Sequence, residues 1–200
     1  MSSSSECSTG RSWLGAPTVR MLDRGGGLAT RAIATDTLQR DLTKLHAGRS
    51  DLGASIVGER VRSDGAVVRW WVALPPRLGP EEPPFLIEHD ATAAEWTPTD
   101  RIARLGEHHP LGGAVGLRGI ELSVDDVGSS SERFSGTTGL RCEPSPAANG
   151  FREASVGNQM IRLRTQRGER GAASIVLAAP VPEERVRDLF GCRWVVRPNG

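Results

Sequence analysis

Ile56-Val57-Gly58-Glu59-Arg60-Val61-Arg62-Ser63-Asp64-Gly65-Ala66-Val67-Val68-Arg69-Trp70-Trp71-Val72-Ala73-Leu74 is the stretch that decides the fold. Two runs rich in β-branched and aromatic residues flank an Asp-Gly pair, where glycine supplies the positive φ that a tight hairpin turn needs. The pattern predicts antiparallel strands over 56–62 and 66–74. Upstream, Leu28 to Thr35 reads as a short strand, and Asp36 or Thr37 as a helix N-cap. Leu38, Leu42 and Leu45 then recur at i, i+4 and i+7, one apolar helix face, with Gly48 as the stop. Downstream, Pro75-Pro76 ends the hairpin, and Phe85-Leu86-Ile87-Glu88 reads as a further strand. The order is β-α-β-β-β.

The second half repeats that order. Leu117 to Val124 reads as a strand, and Asp125-Asp126 caps a Ser-rich helical piece through Phe134. Gly136 to Gly150 reads as irregular; residues 151–156, Gln159 to Thr165 and Ala172 to Ala178 then supply up to three strands, with a turn at Gly168 to Gly171. Pro182 to Phe190 reads as a short C-terminal helix with Val186 and Phe190 on one face, before Trp194-Val195-Val196. The expected fold class is α+β: two βαβββ-type modules with curved, mostly antiparallel sheets and helices on the outer face. The expected organisation is a flexible tail at 1–26, a first module at 27–90, a connecting segment at 91–116, a second module at 117–180 and an extension at 181–200.

Composition narrows the function classes. The 38% hydrophobic and 24% charged residues are those of a globular chain. With 25 basic and 24 acidic residues, no strong field favours nucleic acid or an anionic membrane. No apolar run approaches the roughly 18 residues that span a bilayer. Ser2 to Gly10 has neither the basic start nor the apolar core of a signal peptide, so the expected compartment is the cytoplasm. Lys44 is the only lysine and tyrosine is absent, the codon bias of a GC-rich bacterial genome. Cys7, Cys142 and Cys192 are too far apart for a CxxC pair and fit neither a disulfide framework nor a zinc site.

Four blocks carry a family resemblance: Asp36 to Leu45; Glu59 to Gly65 leading into Arg69-Trp70; Pro84-Phe85-Leu86-Ile87-Glu88-His89-Asp90; and His109-Pro110 followed by Leu117. In this order they resemble the glyoxalase-like branch of the vicinal-oxygen-chelate superfamily, over Gly27 to Val127. The resemblance implies a sheet curled around a ligand cleft. It also implies a histidine in the first strand of a module and a carboxylate in the last. Here Thr30 and Gly119 stand in the two histidine positions, and Ser174 to Ala178 carries no carboxylate. Only Glu88 stands where a metal-binding carboxylate is expected, and one ligand is not a site. Relatives also carry a module ahead of the segment at Leu28, so the expectation is a shortened relative or a start codon placed too late.

The candidate chemistry is therefore thin. His108 and His109, on an extended segment, point opposite ways and cannot chelate one ion together, nor can Glu88 and His89. No Gly-x-Ser-x-Gly elbow or phosphate loop is present, and Cys142 and Cys192 have no evident activating partner. Alternation separates Val68, Trp70, Val72 and Leu74, expected to face the helix, from Arg69, Trp71 and Ala73, expected to face the cleft. The expected ligand-binding residues are Arg69, Trp71 and Glu88, holding a flat, weakly anionic molecule, with Arg62, Arg162 and Arg164 adding positive charge. The competing structural account has Trp71 in the core and Arg69 paired with a carboxylate such as Glu88.

Three functions fit these residues. The first is a glyoxalase-like domain protein that binds a small organic molecule without metal catalysis or any cofactor. The second is a metal-dependent lyase, isomerase or dioxygenase completed by a partner subunit, and the third a truncated paralogue with no function. Whether the chain is an enzyme is left open, and so is a homodimer. The metal expectation is explicit: elemental analysis of the dialysed protein should find no stoichiometric divalent ion, and near-stoichiometric zinc, nickel or iron would reverse it.

Overall fold

The hairpin forms where the Asp-Gly pair predicts it. In the computed structural model, which describes residues 26–63, 65–90, 116–146, 150–166, 173–189 and 191–198, strands β2 (Ile56–Val61) and β3 (Val67–Ala73) pair antiparallel, with Ile56 opposite Val72 and Val61 opposite Val67. Arg62 N–H donates to Ala66 O at 2.8 Å and closes the turn. Strand β4 (Phe85–His89) continues the sheet antiparallel to β3, and β1 (Ala32–Ala34) joins β4 in parallel, giving the order β1-β4-β3-β2. Helix α1 (Leu38–Ala47) makes the crossover from β1 to β2. The expected tail and connecting segment, with His108 and His109, lie outside the described residues apart from Gly26 and Gly116, as does the turn at Gly168 to Gly171.

The second repeat uses the same plan. Strand β5 (Gly116–Val124), helix α2 (Val127–Thr138), β6 (Glu143–Pro144), β7 (Phe151–Val156) and β8 (Gln159–Thr165) pair in the order β5-β8-β7-β6, with β5 and β8 parallel. That order matches the first sheet strand for strand. The fourth strand of the repeat is thus β8, one strand earlier than the sequence pattern suggests. Strand β9 (Ala173–Ala179) lies antiparallel to β5 on its other side, followed by β11 (Cys192–Pro198) and β10 (Arg185–Leu189), to make seven strands.

The expected C-terminal helix is not formed. Arg185–Leu189 is strand β10, paired antiparallel with β11 from Arg185–Val196 to Leu189–Cys192; Phe190 lies outside the described residues. So short a segment cannot repay helix nucleation, whereas a neighbouring strand satisfies its backbone directly.

Each helix packs on one face of its own sheet. Leu38 and Leu42 of α1 are buried against Leu52, Ala73 and Leu86, with Trp71 and Ile33 packed alongside. Phe134 of α2 is fully buried among Leu122, Val124, Ala154, Ile161 and Leu163, a contribution of roughly 2–3 kcal/mol. Ile33 packs against both clusters, so the two repeats share a seam on their helix sides. Polar contacts tie the same seam: Ser50 Oγ donates to Thr137 O at 2.5 Å, Thr137 Oγ1 donates to Asp51 Oδ1 at 2.7 Å, and Arg133 pairs with Glu82 at 3.1 Å. Among the described residues, no helix is long and apolar enough to cross a membrane.

The two helix starts are capped differently. Asp126 is a conventional N-cap, its carboxylate accepting from Ser129 N–H at 2.7 Å, and Gly139 ends α2 in the left-handed conformation at φ 73°. Thr37 stands at the N-cap of α1 without a side-chain capping bond. The carboxylate of Glu88, brought in by β4, accepts from Leu38 N–H at 2.8 Å instead. A negative charge at a helix N-terminus is favoured both by the orphan amides and by the macrodipole.

Two measurements check these caps. Glu88→Ala should lower stability by about 1 kcal/mol and Glu88→Gln by much less, because the amide oxygen still accepts; denaturant unfolding reads both. The Ser129 amide draws the Asp126 carboxyl below its usual 3.8, so its stabilisation is complete above that value and fades as the pH falls through it. Asp126→Ala should destabilise the protein at neutral pH, and the gap to the wild type should close as the pH drops below about 4.

Candidate functional site

The structure places Arg69, Trp71 and Glu88 on the helix-bearing face of the first sheet. Trp71 and Glu88 stand opposite each other on β3 and β4. Trp71 packs into the cluster beneath α1, and Glu88 caps that helix. Arg69 lies further along β3, exposed, and pairs with its cross-strand neighbour Glu59 at 3.1 Å. This corrects the expected orientation of β3: Trp71 and Ala73 meet the helix, while Val68 and Val72 lie on the other face. Both faces are covered there, since Val68 is 5% and Val72 2% exposed. Alternation sorts a strand into two sets but does not tell which set faces the helix. The crossover decides that.

A cavity of about 630 Å³ lies elsewhere, between the β1 segment and the starts of β5 and β8. Its wall is mostly apolar, with Leu28, Ile33, Leu117, Ile120, Met160 and Ile175 among its residues. Thr30, Asn158 and Gln159 supply polar groups. Thr30 and Gly119, the two positions that the resemblance gives to histidines, both line it. Sequence reasoning singled out these two positions without placing them together, because they meet only through the packing of one repeat on the other.

Gly119 is required by close approach. A Cβ built on it would stand 2.2 Å from the carbonyl oxygen of Met160, its partner on β8. No side chain fits there unless the backbone of β8 moves.

An adjoining cavity of about 490 Å³ is lined by Glu121, Arg162, Met160, Ser155 and Arg197. Here Glu121, Arg162 and Glu153 form a row across β5, β8 and β7 on the face away from α2. Arg162 Nη1 meets Glu121 Oε1 at 2.7 Å and Nη2 meets Glu153 Oε1 at 2.7 Å, with the three side chains only 12–18% exposed. The guanidinium also lies 5.5 Å from the centre of the Phe151 ring, and Ser145 Oγ donates to Glu153. The sequence offered Arg162 only as one arginine among many; the register that brackets it with carboxylates was not legible there.

The described residues do not fit a divalent metal. Thr30 and Gly119 offer no imidazole, Glu88 is engaged by the Leu38 amide, and Glu121 and Glu153 are joined to Arg162. No group of three or more His, Cys, Asp or Glu residues converges on a point among them. Cys142 and Cys192 are buried, and desolvation raises both thiol pKa values, the opposite of an activated nucleophile.

Residues 5–138 match the family model described as a glyoxalase-like domain. No curated protein matches the chain. A crystal structure of a hypothetical protein from Staphylococcus aureus superposes with a TM-score of 0.64 at 12% identity, covering 84% of this chain and 65% of that one. This chain thus spans about two thirds of that protein's length. The genomically encoded fosfomycin resistance protein FosX from Listeria monocytogenes is matched at 14% identity over 72% of this chain and 94% of its own, with a TM-score of 0.29. Residues 5–138 make up more than half of the sequence, and the chain belongs to the glyoxalase-like domain family.

Proposed function

We propose that this glyoxalase-like chain is a cytoplasmic protein that binds a small, largely apolar organic molecule without metal catalysis. The observation that carries this reading is the cavity of about 630 Å³ at which Thr30 and Gly119 meet. Its size lies within the roughly 300–1,000 Å³ typical of small-molecule sites, and a mostly apolar wall with a few polar groups is the usual composition. Burial of apolar ligand surface would provide the affinity. The Thr30 hydroxyl and the amides of Asn158 and Gln159 would set the orientation. The alternative, a metal-dependent lyase, isomerase or dioxygenase, requires a ligand set beyond the residues discussed above.

A thermal-shift screen of small organic molecules, followed by calorimetry on the best binder, tests the proposal. Ala32 is an exposed residue of β1 that lines the cavity, so Ala32→Trp fills the space with little risk to the core. It should weaken binding about tenfold or more, equivalent to about 1.4 kcal/mol. Affinity unchanged in Ala32→Trp but lost in Arg69→Ala and Trp71→Phe would move the ligand to the β3 residues singled out by sequence. Binding or turnover that requires an added divalent ion would favour the enzyme.

A further inference from the structure

We infer that the ligand is an organic monocarboxylate whose apolar body fills the cavity of about 630 Å³ and whose carboxylate is held by Arg118, a residue that a bulge in β5 turns into the adjoining cavity. This ligand class narrows the small-molecule function proposed above and rests on it.

Strand β5 supplies walls to both cavities, and its register divides them. Leu117 pairs with Leu177 on β9 but Gly119 pairs with Val176, so one extra residue, Arg118, stands between the two pairs. In a regular strand Leu117 and Gly119, two residues apart, would point to one face and Arg118 to the other. The bulge breaks that alternation. Leu177 and Val176 are neighbours that face opposite ways, and so do the residues paired with them. Leu117 accordingly lines the apolar cavity with Ile120 and Ile175, while Arg118 lines the adjoining one with Glu121 and Arg162. Without the extra residue the cation would fall on the apolar side and the leucine on the polar side. Bulges that re-aim a side chain in this way are over-represented beside active sites.

Arg118, Arg162 and Arg197 all line the adjoining cavity, but they differ in what holds them. Arg162 is bracketed by Glu121 and Glu153 at 2.7 Å each, and Arg197 is met by Glu184 at 2.9 Å. Arg118 is exposed and has neither hydrogen bond nor ion pair among the described residues. Its forked N–H donors are therefore open to a carboxylate from outside, the group that their geometry matches best. Gly119, Gly157, Asn158 and Gln159 belong to both cavity walls, so a molecule in the first cavity is within reach of the second. The Met160 carbonyl keeps Gly119 without a side chain, and nothing from that position stands between the two spaces. The amides of Asn158 and Gln159 add hydrogen-bond donors at the junction. The apolar wall of the first cavity disfavours a second charge at the other end of the molecule, which limits the ligand to one carboxylate.

Calorimetry on the full chain tests the assignment with matched probes: octanoate against octanol, and phenylbutyrate against phenylbutanol. At low ionic strength the wild type should bind each acid about tenfold or more tightly than its alcohol, and the preference should shrink as salt rises. Arg118 is exposed, so replacing it leaves the core intact. Arg118→Gln should remove the preference and leave the affinity for the alcohols unchanged, and Arg118→Lys should keep part of it. Ala32→Trp should weaken acids and alcohols alike. Equal affinity for acid and alcohol, an acid preference that survives Arg118→Gln, or no binding of either acid would overturn the inference. If Ala32→Trp still weakens the alcohols in that case, the cavity keeps its proposed function and only the ligand class falls. An acid preference that depends on Arg118 but ignores Ala32→Trp would overturn both, because the acid would then bind outside the cavity.

Discussion

Arg31 ties the two repeats together at a single buried charge. Its guanidinium donates to the carbonyls of Pro80 and Glu82, in the loop that leads into β4, and lies 5.3 Å from the centre of the Phe134 ring on α2. It thereby connects β1 to the last strand of its own module and to the helix of the other. Burial draws its pKa down to about 9, while Glu81 and Glu82 pull it back up, so it remains charged at neutral pH. A buried cation needs each of these partners, because the cost of desolvation is recovered only through them. Together with Ile33, which packs against both core clusters, it holds the β1 segment against the second repeat, beside the cavity that Thr30 and Gly119 line.

The acidic residues follow a similar logic. Glu88 caps α1, and Glu121 and Glu153 hold Arg162. Each carboxylate is met by a donor from the protein itself, an amide in one case and a guanidinium in the other two. These contacts help to hold the sheets and the start of α1 in place.

Much of the fold was legible before the structure. The Asp64-Gly65 hairpin, the Leu38-Leu42-Leu45 face and the cap at Asp126 all depend on residues close in sequence, and each element stands within a few residues of where its pattern predicts. The exceptions are instructive. Residues 185–189 show a helix-like spacing but pair as a strand, because β11 offers a ladder that an isolated short helix cannot match. Tiny β6, only Glu143–Pro144, sits in what reads as an irregular segment, yet it takes the position in the second sheet that β2 holds in the first.

The candidate site was less legible, for a reason specific to β3. Arg69-Trp70-Trp71 puts an indole on each face, and both faces of the strand are largely covered. Alternation therefore could not say which tryptophan meets the helix, nor that Glu88 would be drawn to the start of α1 fifty residues earlier. The amino-acid sequence by itself determined the β-α-β-β-β order of the first module, the hairpin and the absence of histidine at positions 30 and 119, since local propensity and residue identity suffice for these. Only the tertiary structure decided that Thr30 and Gly119 share a cavity and that Arg162 lies between two carboxylates. Both depend on strand register and on the packing of one repeat against the other, interactions between residues far apart in the chain that no local pattern encodes.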